Sequence, residues 1–104
     1  MIVEYIRYQI PSGKQQSFEE AYAEAAVSLE ASEHCLHYEL SHGVEEPENY
    51  ILRIEWDSQE GHERGFRRSP EFKTFFGAVK PFFDDIQEMR HYEATLVRSS
   101  SETL

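Results

Sequence analysis

The chain has 104 residues with 20 acidic and 10 basic side chains, a formal charge of -10, and its length bounds it to one domain around one core. That balance excludes nucleic acid and acidic membranes as partners, because a phosphate backbone is bound by Lys and Arg displacing counterions and the longest basic run here is Arg67-Arg68. The single cysteine, Cys35, forms no internal disulfide, the first ten residues lack the basic start and apolar run of a secretory signal, and no apolar run approaches the roughly 20 residues that span a bilayer, so a cytoplasmic protein is expected.

Ile2 to Ile10 reads as a strand, with Ile2, Ile6, Tyr8 and Ile10 on one face and Val3 and Tyr5 on the other. Apolar groups on both faces imply that both are covered, the second by a partner chain if not by the chain itself. Pro11-Ser12-Gly13 breaks the strand, and Ser12 with Gln15 has capping-box spacing for a helix whose stripe is Phe18, Ala21, Tyr22, Ala25 and Leu29. Cys35 to Ser41 alternates as a half-buried strand, with Leu36, Tyr38 and Leu40 against Cys35, His37, Glu39 and Ser41, and Cys35 is expected to act as a small buried hydrophobe. His42 to Asn49, with Gly43 and Pro47, reads as a loop. A third strand follows over 50–57, with Tyr50, Leu52, Ile54 and Trp56 on one face.

Ser58 is placed to cap a short helix through Arg64, weakened by about 1 kcal/mol at each of Gly61 and Gly65. Ser69-Pro70 restarts helix, and Phe72, Phe75 and Phe76 form an apolar stripe before Gly77; Val79, Phe82, Phe83 and Ile86 continue it, with Pro81 limiting regular helix. Glu88 to Val97 is the expected last strand, with Met89, His91 and Glu93 opposite Arg90 and Tyr92. Residues 1–98 therefore form the domain and 99–104 a polar, frayed tail. The order strand, helix, strand, strand, broken helix, strand predicts an α+β, ferredoxin-like antiparallel sheet with helices on one face, and a twofold homodimer is the simplest cover for the other face.

The segment from Tyr50 through Trp56 to His62, followed by Phe66, Ser69-Pro70-Glu71-Phe72 and Phe75, resembles the antibiotic biosynthesis monooxygenase (ABM) domain family, and Cys35-Leu36-His37-Tyr38-Glu39-Leu40 resembles its second strand. The resemblance implies a dimeric α+β barrel. It also implies kinship with oxygenases of anthrones and quinols that use no metal or flavin, and with haem-degrading enzymes. The haem branch is disfavoured, because Arg7-Tyr8 stands where it has an amide, Phe66 where it has a helical tryptophan and Phe76 where it has the proximal histidine. Trp56 matches the strand tryptophan of the anthrone oxygenases, whereas their asparagine, tyrosine and arginine are matched near Leu52, His62 and Phe76.

His62 is the candidate catalytic acid or base, since imidazole titrates near neutrality; its bland alternative is an exposed helix histidine. Trp56 is expected to stack on a substrate ring, Tyr38 and Tyr92 to donate hydrogen bonds to it, and Phe66 and Phe76 to complete an aromatic pocket; each is otherwise a core residue. Arg53 and Glu55 are expected to pair across strands or at the dimer interface. His37 and His91, with Glu39 or Glu93, would supply metal ligands only if their strands were neighbours, and no compact ligand motif supports that, so no metal or cofactor is expected. Phosphate-cradling glycine loops are absent, and Cys35 has no adjacent cation to activate it. The expected function is cofactor-independent monooxygenation of a small aromatic, quinol-like or polyketide-type molecule by molecular oxygen. The alternative is a non-catalytic dimer that binds a small ligand or serves as an accessory subunit.

Overall fold

In the computed structural model, which describes residues 1–99, the alternating segments become four antiparallel strands. They are β1 (Ile2–Gln9), β2 (Cys35–His42), β3 (Asn49–Trp56) and β4 (Ile86–Glu93), in the order β2-β3-β1-β4. Helix α1 (Gln15–Ala31) joins β1 to β2, and α2 (Pro70–Val79) lies in the connection from β3 to β4. This is the ferredoxin-like α+β arrangement. Residues 100–104, most of the expected tail, lie outside the described residues. No helix among the described residues is long and apolar enough to cross a membrane.

The core lies between one sheet face and the helices. Ile6, Tyr8, Ile10, Tyr50, Leu52, Ile54 and Trp56 face Phe18, Tyr22, Ala25 and Leu29 of α1 and Phe75 and Val79 of α2. Phe18 is fully enclosed, with the rings of Tyr8, Tyr22, Tyr50 and Phe82 around it at centroid distances of 4.8–5.2 Å. Edge-to-face contacts of this kind add to the area that the rings bury.

Local chemistry moves several expected boundaries. The Ser12–Gln15 capping box does not form: Pro11 is extended at ψ 153°, Ser12–Lys14 is a 3-10 turn, and α1 starts only afterwards. The Gln15 amide instead donates to the carbonyls of Ile10 and Pro47, at 3.2 and 3.1 Å, tying the end of β1 to the loop before β3. A register shift between Cys35 and His37 turns Leu36 outward to 56% exposure, so Cys35 rather than Leu36 packs against the core with Tyr38 and Leu40. Ser69 caps α2 by accepting from the Phe72 N–H, with Pro70 at the first helical position as expected; the helix runs through Gly77, and Pro81 sits in a 3-10 segment, Lys80–Asp85. β4 therefore begins at Ile86 and ends at Glu93, earlier at both ends than the sequence suggests.

Strand order also decides the proposed metal grouping. His37 on β2 and His91 on β4 occupy opposite edges of the sheet, so they cannot share an ion within the chain. Arg53 and Glu55 pair along β3 itself at 2.5 Å rather than across strands, and Arg98 reaches Glu55 at 3.3 Å.

Candidate active site

The polar end of the inner sheet face is built by register. On β1, Glu4 occupies the core-facing parity between Ile2 and Ile6; it lies opposite Ile54 of β3 and His91 of β4. Trp56 ends β3 on the same face, and its indole N–H donates to Glu4 Oε1 at 3.1 Å. Glu4 is 3% exposed, a rare burial for a carboxylate and one that requires partners.

His62 reaches this point through an unusual turn. The short helix expected over 58–64 is instead a π-helical turn, Gly61–Gly65, in which the Phe66 N–H bonds to the Gly61 carbonyl and Ser58 Oγ accepts from the Gly61 N–H at 2.8 Å. Both glycines are needed for close approach. A Cβ on Gly65 would overlap the His34 ring, and one on Gly61 would overlap Asp57, which pairs with His34 at 3.0 Å. With that side of the turn pressed onto His34, His62 turns inward and is 4% exposed, so the exposed-helix alternative is excluded.

The imidazole of His62 lies against Trp56, with centroids 4.5 Å apart. Its Nε2 is 3.7 Å from Glu4 Oε1 and 3.3 Å from Nε2 of His91, which in turn lies 3.4 Å from Glu4 Oε2. Nδ1 of His62 is buried without a hydrogen-bond partner among the described residues. Burial holds the His62 pKa below the ordinary imidazole value, opposed by the Glu4 charge and reinforced by Arg67 and His91.

Glu4, Trp56 and His62 form one wall of a cavity of about 310 Å³. Its remaining walls are mostly apolar: Ile6, Ile54, Phe66, Phe72, Phe75, Phe76, Val79, Phe83 and Met89. Tyr8 adds a hydroxyl that is bonded to Tyr22, and burial pushes its phenol up to about 12, so it stays protonated at neutral pH. A small, largely apolar hollow with a few convergent polar groups suits a flat, weakly polar molecule. The wider depression on the outer sheet face, about 1040 Å³, is lined by the Arg53–Glu55 pair, Leu36 and Val97 and lies away from Trp56 and His62.

Four of the sequence-selected residues, His62, Trp56, Phe66 and Phe76, meet at this cavity. Two do not. Tyr38 borders a separate depression with Leu29, Glu30 and Cys35 at the end of α1. Tyr92 points to the outer face, edge-on to Tyr5 at 5.6 Å. Sequence reasoning missed Glu4 and the pairing of His91 with His62. The available signal for Glu4 was its parity, the one acid on a face otherwise made of Ile2, Ile6, Tyr8 and Ile10.

Comparison with known proteins agrees with this architecture. YczJ of Bacillus subtilis, an uncharacterised protein, is 29% identical over 93 residues, covering 89% of this chain and 98% of its own. A conserved protein from Methanosarcina mazei superposes with TM-score 0.76 at 22% identity, over 90% of this chain and 92% of its own. A variant of SnoaB, described as a cofactor-independent oxygenase from Streptomyces nogalater, superposes with TM-score 0.74 at 15% identity, over 93% of this chain and 97% of its own. At such identities the structural matches establish the fold alone. The sequence model of the antibiotic biosynthesis monooxygenase family matches residues 1–78, which include Glu4, Trp56 and His62 and stop short of His91, and the chain belongs to that family.

Proposed function

We propose that the chain is a cofactor-independent monooxygenase of a small aromatic phenol, quinol or anthrone, bound in the cavity beside Trp56. The observation that carries this reading is the buried His62 Nδ1, without a partner among the described residues, on a residue that lines an aromatic hollow. An unpartnered basic nitrogen in an apolar site has a ready use as a proton acceptor for a substrate hydroxyl. Family membership and the oxygenase described for SnoaB support the class of reaction.

In this mechanism Trp56 and the phenylalanines hold the ring, and Nδ1 takes the hydroxyl proton. The resulting anion passes one electron to O2, and recombination of the radical pair forms a carbon–oxygen bond at an activated ring carbon. His62 returns its proton to the distal peroxide oxygen. Loss of the C–H proton with O–O cleavage then releases hydroxide, which combines with that proton as water and leaves a carbonyl. The substrate loses four electrons; one oxygen atom stays in the product and the other leaves as water. Enclosure keeps solvent from the anion and the radical pair.

Oxygen uptake with 9-anthrone and a set of quinols, on chelator-treated protein, tests the reading. One O2 per product is expected, and His62→Gln should lower the rate by about 10²-fold or more. Ligand binding without oxygen uptake across the set would replace the oxygenase by the non-catalytic dimer. We also propose a sheet-to-sheet homodimer, supported by the exposed Tyr5 and Tyr92 on the outer face. Light scattering should return twice the 12.2 kDa chain mass, and a 12.2 kDa species would remove the dimer.

A further inference from the structure

We propose that Glu4, His62 and His91 form a binding site for one divalent transition-metal ion of the Zn2+ class, held by one carboxylate oxygen and the two Nε2 atoms. The reasoning begins with distances. Hydrogen bonds among such groups fall near 2.7–3.2 Å, roughly, and shorter when one partner is charged. Here the two Nε2 atoms are 3.3 Å apart, and Glu4 offers Oε2 to His91 at 3.4 Å and Oε1 to His62 at 3.7 Å, all longer than good hydrogen bonds. A tetrahedral ion with bonds of about 2.0–2.1 Å to N and O sets its ligand atoms about 3.3 Å apart. Two imidazole nitrogens at that spacing, with a carboxylate whose ligand oxygen lies within 4.8 Å of both, are the donor set of an open zinc-type site with a fourth position free.

Burial points the same way. The two rings present Nε2 to each other, and a hydrogen spent between them is one that neither ring donates to Glu4. Among the described residues no Lys or Arg pairs with Glu4, so the buried carboxylate meets only two imidazoles and the Trp56 N–H. A cation at the centre would satisfy all three at once. The Trp56 N–H then orients the carboxylate as an outer-shell partner, and His91, 41% exposed on its side chain, gives the ion a way in.

The site goes beyond the oxygenase reading and does not rest on it. It also bears on that reading, because a neutral imidazole bound through Nε2 carries its hydrogen on Nδ1. The metal-bound form of His62 is therefore an N–H donor at the atom that the cofactor-free mechanism needs as an acceptor, and the two states exclude each other.

Co2+ titration of untagged, chelator-stripped protein, followed by visible absorption and equilibrium dialysis, tests the proposal without any substrate. One equivalent per chain is expected, with the intense visible bands of tetrahedral cobalt, displaced by Zn2+. His91→Ala, on an edge strand, should abolish the bands while circular dichroism stays unchanged. Trp56→Phe should weaken binding by about 10- to 100-fold. His37→Ala, altering the exposed His37–Glu39 pair on β2, should leave binding untouched. Less than a tenth of an equivalent bound, binding retained in His91→Ala, or binding lost in His37→Ala would each overturn the site. None of these readouts depends on turnover, so failure here leaves the oxygenase test in chelator standing on its own.

Discussion

The two ends of the inner sheet face are both aromatic, yet one is solid and the other hollow. Against α1, Phe18 sits among four rings and is fully enclosed, with Ala25 letting the helix close onto the sheet. Against α2 and the π-helical turn, Trp56, Phe66 and Phe75 are buried as well but surround about 310 Å³ of space. Aromatic content does not separate these regions. What separates them is helix continuity: α1 is an unbroken 17-residue element that lays a regular stripe on the sheet. The other side is split into a π-helical turn, a 3-10 turn, a 10-residue helix and another 3-10 segment, which cannot follow the sheet as one surface.

Breaking the solid end should have the largest effect. Phe18→Ala removes the ring at the centre of that cluster and is expected to cost about 3–5 kcal/mol in urea unfolding, a cavity-forming loss from a region with no slack. Adding volume sharpens the contrast. Ala25→Leu overfills the contact between α1 and the sheet and should cost about 1–3 kcal/mol, whereas Val79→Phe extends into existing space and should cost less than about 1 kcal/mol. Val79→Phe should also block any aromatic ligand, checked by equilibrium binding of 9-anthrone under nitrogen. Equal costs for the two enlargements would mean that the hollow is filled in solution. The smallest expected effect is at Cys35, whose thiol burial pushes from 9.0 up to about 11. Its alkylation at pH 8 should be about a hundredfold slower than that of an ordinary thiol and should accelerate as pH rises toward 11, with no effect on the cavity.

The same comparison explains what could be read from the chain before its structure. Tyr50, Leu52, Ile54 and Trp56 repeat with period two, and Phe18, Tyr22, Ala25 and Leu29 with helical spacing, so each announces its own buried face. Element order then suffices for the ferredoxin-like topology. The cavity's polar wall is different in kind. Glu4 is an acid whose burial depends on strands far along the chain, and His91 meets His62 only because β4 pairs with β1 rather than with β2. Local periodicity carries no information about such pairings. The π-helical turn escapes for a related reason: Gly61 and Gly65 read as weak points in a helix until His34 is seen lying on them.

The placement of β1 between β3 and β4 has a consequence for the order in which the buried cluster can assemble. The carboxylate of Glu4 gains the indole of Trp56 through the pairing of β1 with β3, but the imidazole of His91 joins it only when β4 pairs with the other edge of β1. Until that strand docks, one edge of β1 lacks its partner and the acid is open to water. A chain in which β4 is undocked thus holds most of the aromatic wall but not the completed cluster.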